Sequence, residues 1–114
     1  MASSLNSFSI TNPADKSSIR IDTVASKKAA LTLRALNHKL RQQMIKLIDD
    51  NKQMPVTQIY VKLRLEQSVA SQHLAILRRA ELVETRRDGK FIFYTVNYAR
   101  IKEVMKFVED LTKK

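Results

Sequence analysis

The chain of 114 residues contains a single glycine, Gly89. It follows Asp88 and separates two runs rich in β-branched and aromatic residues, 82–86 and 90–96. Asp-Gly between such runs is a strong local hairpin signal, because glycine takes the positive φ of a tight turn without a Cβ clash. One glycine also excludes glycine-rich phosphate loops, since the dinucleotide fingerprint and the P-loop each need at least two. On the second run Ile92, Tyr94 and Val96 share one face and Phe91, Phe93 and Thr95 the other, so both sides of this strand are expected to be partly covered.

Outside the hairpin the apolar spacing is helical. Asp22 and Thr23 are candidate caps for a helix running to Leu36, with Val24, Leu31 and Ala35 at helical spacing on a moderately apolar face. Asn37 is the expected cap of a second helix, whose stripe is Leu40, Met44, Leu47 and Ile48 and which stops in Asp49-Asp50-Asn51. Pro55 suits the first turn of a short third helix of about nine residues, with Val56, Ile59 and Leu63 as its apolar side. After 64–66 a fourth helix, Gln67 to Ala80, buries Ala70, Leu74 and Leu77 and leaves Ser68, Ser71, Gln72, Ala75 and Arg79 on or near the opposite side. Asn97 caps a last helix with Ile101, Val104, Met105, Val108 and Leu111 on one stripe and Phe107 beside it. Residues 1–18 hold six serines and few periodic apolar positions, and are expected to be a disordered or loosely ordered tail before a domain spanning 19–112.

Charge and composition narrow the function. There are 21 Lys plus Arg against 11 Asp plus Glu, a formal charge of +10, all of it within 19–114. A domain this basic attracts polyanions, nucleic acid before anionic membrane. The absence of cysteine removes disulfides, thiolate metal sites, thiol catalysis and thiol redox sensing. The two histidines, His38 and His73, fall on different helices and lack further metal donors or a triad-like acid and serine, so neither a metal site nor an enzyme is expected. The apolar stripes are needed for the core, no signal pattern opens the chain, and the expected address is the cytoplasm, with no membrane partner and no cofactor.

The element order is helix, helix, short helix, tight turn, polar-faced helix, β-hairpin, helix: a mainly α fold with a β-hairpin wing, a winged helix-turn-helix. In such units the second helix of the pair enters the major groove of double-stranded DNA, while the one before it crosses the phosphate backbone. Gln67, Ser71 and Gln72 can bond base edges or phosphates, and short Ser68 and Ala75 let the helix approach closely. His73, next to the core stripe, is a further candidate contact. Arg78 and Arg79 suit phosphates, and Arg86, Arg87 and Lys90 surround the hairpin tip. Between Lys62 and Lys90 seven bases face four acids, a modest net +3.

These residues carry a resemblance. The stretches LRALNHKLRQQMIKLI and LRLEQSVASQHLAILRRAELVETRRDGKFIFYTV resemble the ArsR-type family of bacterial transcription regulators, through Ala35-Leu36, Arg41 to Ile45, Leu65 to Leu77, Leu82-Val83, Arg86 to Lys90 and Phe91 to Tyr94. The resemblance extends over roughly 19–112. It implies a homodimer joined by the first and last helices, with Val24, Leu31, Ile101, Val104, Met105, Val108 and Leu111 as dimerisation residues, on an operator of two half-sites. Metal-sensing members place thiolates at the start of the third helix, where this chain has Met54, Pro55, Val56 and Thr57. Others use acids and histidines at the ends of the last helix, where Tyr98, Arg100, Leu111 and Lys114 stand. Arg64 occupies a turn position where many relatives have glycine.

The expected function is a sequence-specific, homodimeric repressor without metal or thiol sensor. The alternative is a winged-helix module binding RNA or a protein partner, its charge serving solubility.

Overall fold

The computed structural model describes residues 6–113. It divides into two compact units, the first ending at Leu33 and the second beginning at Arg34.

The first unit opens with a β-hairpin, β1 Ser7–Thr11 and β2 Ser18–Asp22. The strands pair antiparallel in a register that sets Phe8 opposite Ile21 and Ile10 opposite Ile19. The turn is built by polar side chains: Asn12 Oδ1 accepts from Ala14 N and Asp15 Oδ1 from Ser17 N, both at 2.9 Å, while Lys16 takes φ 65°. The expectation of a disordered or loosely ordered tail over 1–18 gives way from residue 7 onward to a paired hairpin; residues 1–5 lie outside those described. Serine-rich composition hid a period-two alternation of apolar residues, and Asx turns supplied the reversal that glycine would otherwise make. The chain then enters α1, Thr23–Leu36, where Asp22 Oδ1 accepts from Ala25 N at 2.9 Å as the expected cap.

The second unit contains the last residues of α1, then α2 Lys39–Asn51, β3 Met54–Pro55, α3 Val56–Lys62, α4 Gln67–Arg79, β4 Val83–Asp88, β5 Phe91–Val96 and α5 Tyr98–Thr112. Two local expectations need correcting. The cap of α2 is His38, whose Nδ1 accepts from Leu40 N at 3.2 Å, and not Asn37. A third strand, β3, joins the hairpin in the order β3-β5-β4, pairing Met54 with Tyr94 and Pro55 with Phe93. Two residues carry too little pattern to signal a strand, and proline is tolerated at such a sheet edge. α3 is accordingly shorter than anticipated, with Pro55 at its N-cap.

The core is the convergence of the helical stripes on the inner ends of the strands. Met44 and Ile48 of α2, Met54, Ile59 of α3, Ala70, Leu74 and Leu77 of α4, and Leu82 are fully buried, with Val83, Val96 and Val104 nearly so. The α4 stripe is the one anticipated from spacing.

Both helices of the α3–α4 pair end in a Schellman motif. After α3, Leu65 N donates to Tyr60 O at 2.9 Å and Arg64 N to Val61 O at 3.2 Å; after α4, Leu82 N donates to Leu77 O at 3.0 Å and Glu81 N to Arg78 O at 2.9 Å. The left-handed residues are Arg64 at φ 57° and Glu81 at φ 62°, not glycine. Gly89 sits at φ 63° as the first residue of a two-residue turn between the paired Asp88 and Phe91. A Cβ added there meets nothing within 4 Å, so only its dihedral demands glycine.

Two substitutions with opposite signs follow. Gly89→Ala should lose about 1 kcal/mol of unfolding free energy, while Arg64→Gly should gain somewhat less than it loses, since strain relief is offset by added unfolded-chain entropy. Urea denaturation measures both; a loss at Arg64→Gly would mean that its side chain, rather than its backbone, holds the turn.

Candidate nucleic-acid interface

α4 is the centre of the candidate surface. With Ala70, Leu74 and Leu77 buried, helical periodicity turns Gln67, Ser68, Ser71 and Gln72 outward, and all four are exposed, as are Arg78 and Arg79 in the last turn. Ala75 is half-buried. Glu66 caps the helix through its backbone alone, with no side-chain bond to the first-turn N–H groups. Arg78 lies near enough to Tyr94 for its charge to oppose the rise that burial causes in the tyrosine pKa. α3, which packs on α4, exposes Thr57, Gln58, Val61 and Lys62, and the intervening turn exposes Arg64.

At the wing the three cations are not equivalent. Arg86 donates to Gln53 Oε1 at 2.8 Å, lies 3.7 Å from Asp88 Oδ2 and sits over the Phe93 ring at 5.2 Å. It is thereby drawn back along the sheet toward the segment before β3. Lys90 lies over Phe91 at 6.0 Å, and Arg87 is exposed on β4.

His73 is placed differently from its neighbours on α4. Its ring is half-buried, with Nδ1 3.1 Å from Arg41 Nη1 and its centroid 4.9 Å from that of His38. Burial, followed by the His38 and Arg41 charges, holds its pKa below the ordinary imidazole value. The side chain therefore serves an internal contact, turned about 100° around the helix from exposed Gln72.

Arg41 is the residue that sequence reasoning missed. It is 6% exposed, yet its guanidinium is fully engaged: Nε donates to Ala35 O at 2.7 Å, Nη2 to Arg34 O at 2.9 Å, and Nη1 meets His73. It clamps the carbonyl end of α1 to α2 and α4, where a cation also complements the helix dipole. A signal was present, since Arg41, Met44 and Ile48 fall on one helical stripe and a charge in an apolar stripe calls for partners. Lys62 and Arg64 were likewise not named among the candidate contacts; a basic residue in the turn between two helices was the clue.

The residues named for dimerisation divide. Val104 is 7% exposed and belongs to the core of the second unit, while Ile101 and Val108 are half-buried. Met105 at 46%, Phe107 at 48% and Leu111 at 68% lie open along α5, and Val24 and Leu31 are exposed on α1. Of the positions that the resemblance sets against metal sites, Met54 is fully buried, Tyr98 donates from its hydroxyl to Asp49 Oδ1, and Arg100 Nε donates to Ala80 O. Lys114 lies outside the described residues. No helix among the described residues is long and apolar enough to cross a membrane.

Comparison with known proteins gives a consistent picture. Residues 38–85 match the family described as bacterial regulatory protein, arsR family. The transcriptional activator HlyU of Vibrio cholerae is 36% identical over 86 residues, covering 75% of this chain and 79% of HlyU. An uncharacterised HTH-type transcriptional regulator of Methanocaldococcus jannaschii is 36% identical over 84 residues, 74% of this chain and 94% of that protein. The crystal structure of the transcriptional repressor PagR of Bacillus anthracis superposes with a TM-score of 0.61 at 28% identity, over 76% of this chain and 99% of PagR.

Because the bonds of Arg41 are made by a charged donor, its removal is expensive. Arg41→Ala should lower unfolding free energy at pH 7.5 by about 2 kcal/mol or more, against less than about 0.5 kcal/mol for exposed Lys102→Ala. Chemical denaturation of the two variants checks this, and equal losses would show that the clamp contributes no stability.

Proposed function

The chain belongs to the arsR family of bacterial regulatory proteins, and from that membership we propose that it is a sequence-specific DNA-binding repressor, acting in the cytoplasm as a homodimer without a metal or thiol sensor. The observation that carries the proposal is the exposed face of α4, polar along its first two turns and basic at its end, set opposite a fully buried apolar stripe.

Work divides along that face by chemistry. Gln67, Ser71 and Gln72 have the donors and acceptors that discriminate base edges in the major groove, and Ser68 and Ala75 keep the approach close. Arg78, Arg79, Arg87 and Lys90 contribute sequence-independent attraction to phosphates, joined by Lys62 and Arg64 at the end of α3. Arg86, already bound to Gln53, steadies the wing more than it extends it. His73 holds α4 from behind.

Residues 19–112 carry both DNA binding and dimerisation. The open apolar residues of α5, Met105, Phe107 and Leu111, and Val24 and Leu31 on α1, favour burial against a second copy. A two-fold dimer presents two α4 helices to half-sites about 34–36 Å apart. A dimer seated on such a site excludes other proteins from that DNA, which is repression without any further contact. The sequence contains no cysteine, and the residues at the family's metal positions are a buried methionine, a tyrosine bonded to Asp49 and an arginine bonded to a carbonyl, which supports regulation without either sensor.

Selection of bound duplexes from a random pool, combined with sedimentation of the free protein, tests the whole reading. A palindromic consensus and a dimeric mass are expected; selection of RNA or of no nucleic acid would overturn it. On the selected duplex, Gln72→Ala should cost about 1–3 kcal/mol and relax preference at one position of each half-site, whereas Arg79→Ala should weaken all sequences alike and reduce the salt slope by about one. Leu111→Glu should convert the dimer to a folded monomer, visible as a halved sedimentation mass with unchanged helical circular dichroism. A dimeric Leu111→Glu protein would place the interface elsewhere.

A further inference from the structure

We propose that Arg41 and His73 form a proton-sensitive latch that positions α4 for DNA, so that the protein loses operator affinity when the imidazole of His73 takes up a proton. The inference rests on the reading of α4 as the DNA-contacting helix.

The donor in the contact is unambiguous. A guanidinium has only donors and stays charged at any pH a protein survives, so the 3.1 Å approach of Arg41 Nη1 to His73 Nδ1 requires an unprotonated Nδ1. In the neutral ring the proton then sits on Nε2. Protonating Nδ1 replaces a hydrogen bond with two opposed N–H groups and two like charges.

Arg41 cannot yield easily. It is buried, and its other nitrogens hold the carbonyls of Ala35 and Arg34. The charged and titratable groups facing the ring are Arg41 and His38, both at the start of α2; His38 has its own Nδ1 committed to Leu40 N. The partner able to give way is His73, and with it α4.

His73 adjoins Gln72 and lies two residues from Ser71, so displacing its ring moves the candidate base-reading side chains. Hydrogen bonds to base edges tolerate only a few tenths of an ångström. Disturbance at the half-buried ring is thus delivered to the exposed face one residue away.

The sign follows from the direction of the shift. Burial, His38 and Arg41 hold the folded-state pKa of His73 below its unfolded value of 6.5. The latched state carries no penalty above that pH; the penalty appears as pH falls through the unfolded value and is complete below the folded one. A histidine touching a phosphate behaves oppositely, gaining affinity on protonation.

The experiment uses a fluorescein-labelled duplex obtained by selection, at constant ionic strength, from pH 7.5 to 5.0. His73→Gln keeps an acceptor for Arg41 but does not titrate, and His38→Asn keeps an N-cap without an imidazole. At pH 7.5 the wild type and His73→Gln should bind within about threefold of each other, and at pH 5.0 the wild type should be weaker than His73→Gln by about tenfold, the loss expected for one charge-assisted bond. His38→Asn should retain most of that acid loss. A wild type that gains affinity on acidification relative to His73→Gln, or tracks it, overturns the latch. In the free protein, heteronuclear NMR should find the His73 Nδ1 unprotonated at pH 7.5, its titration midpoint below 6.5, and the amides of 67–79 shifting with that midpoint. Should no duplex be selected at any pH, the DNA reading falls separately and these spectra still decide the latch: α4 amides that ignore the His73 titration refute it.

Discussion

Burial of Ala70, Leu74 and Leu77 determines which way α4 faces, and the rest of the unit from Arg34 onward is arranged to make that burial possible. At 3.6 residues per turn, three apolar contacts at i, i+4 and i+7 leave little rotational freedom about the helix axis. α2, α3 and β4 pack on α4 and bring Met44, Ile48, Ile59 and Val83 into the same buried core. Apolar packing is poor at specifying position along the axis, because neighbouring ridges offer similar fits. The Arg41–His73 bond supplies a directional constraint, and it does so from α2, the helix whose apolar stripe already meets the same core. Orientation and register are set by different physics, one nondirectional and tolerant of pH, the other directional and dependent on a titratable group.

The single glycine is informative in a way that its count alone conceals. Five described residues have positive φ, and four of them are Lys16, Lys52, Arg64 and Glu81. Without glycine, Arg64 and Glu81 each carry roughly 1 kcal/mol of steric cost, which the flanking hydrogen bonds offset. At Arg64 and Glu81 those bonds are the paired Schellman contacts that satisfy carbonyls at the ends of α3 and α4. The chain therefore keeps polar, charged side chains at turns that border its candidate DNA surface. At Arg64 this exchanges backbone ease for an exposed cation in the turn before α4.

Most of the second unit was legible in the sequence because its signals are local and periodic. The α4 stripe, the capping of α5 by Asn97 and the Asp88-Gly89 reversal each follow from a few adjacent residues, and all are realised. What could not be read were features created by tertiary contact or concealed by composition. β3 is two residues long and exists through pairing with β5. The β1–β2 hairpin lay beneath a serine-rich composition, although Phe8, Ile10, Ile19 and Ile21 alternate as strand residues should. Candidate reading residues such as Gln72 were visible because exposure follows from periodicity, whereas the inward turn of His73 depends on Arg41, thirty-two positions away.

Charge is the property whose meaning changes most between sequence and fold. A formal charge of +10 suggests a uniformly basic surface, yet the cations have distinct fates. Arg41 is buried as a helix clamp, Arg86 is tethered by Gln53, Arg100 bonds to Ala80, and Lys46 is paired with Asp50 at 2.9 Å on α2. Net charge attracts DNA at long range, where only the sum matters and salt screens it. In the proposed complex, recognition at contact depends on the cations that remain exposed around α4 and the wing. The same residue type thus builds the scaffold in one place and stays exposed at the proposed DNA surface in another, and it is at His73, where a scaffold cation touches the helix proposed to face DNA, that protonation would pass from one role to the other.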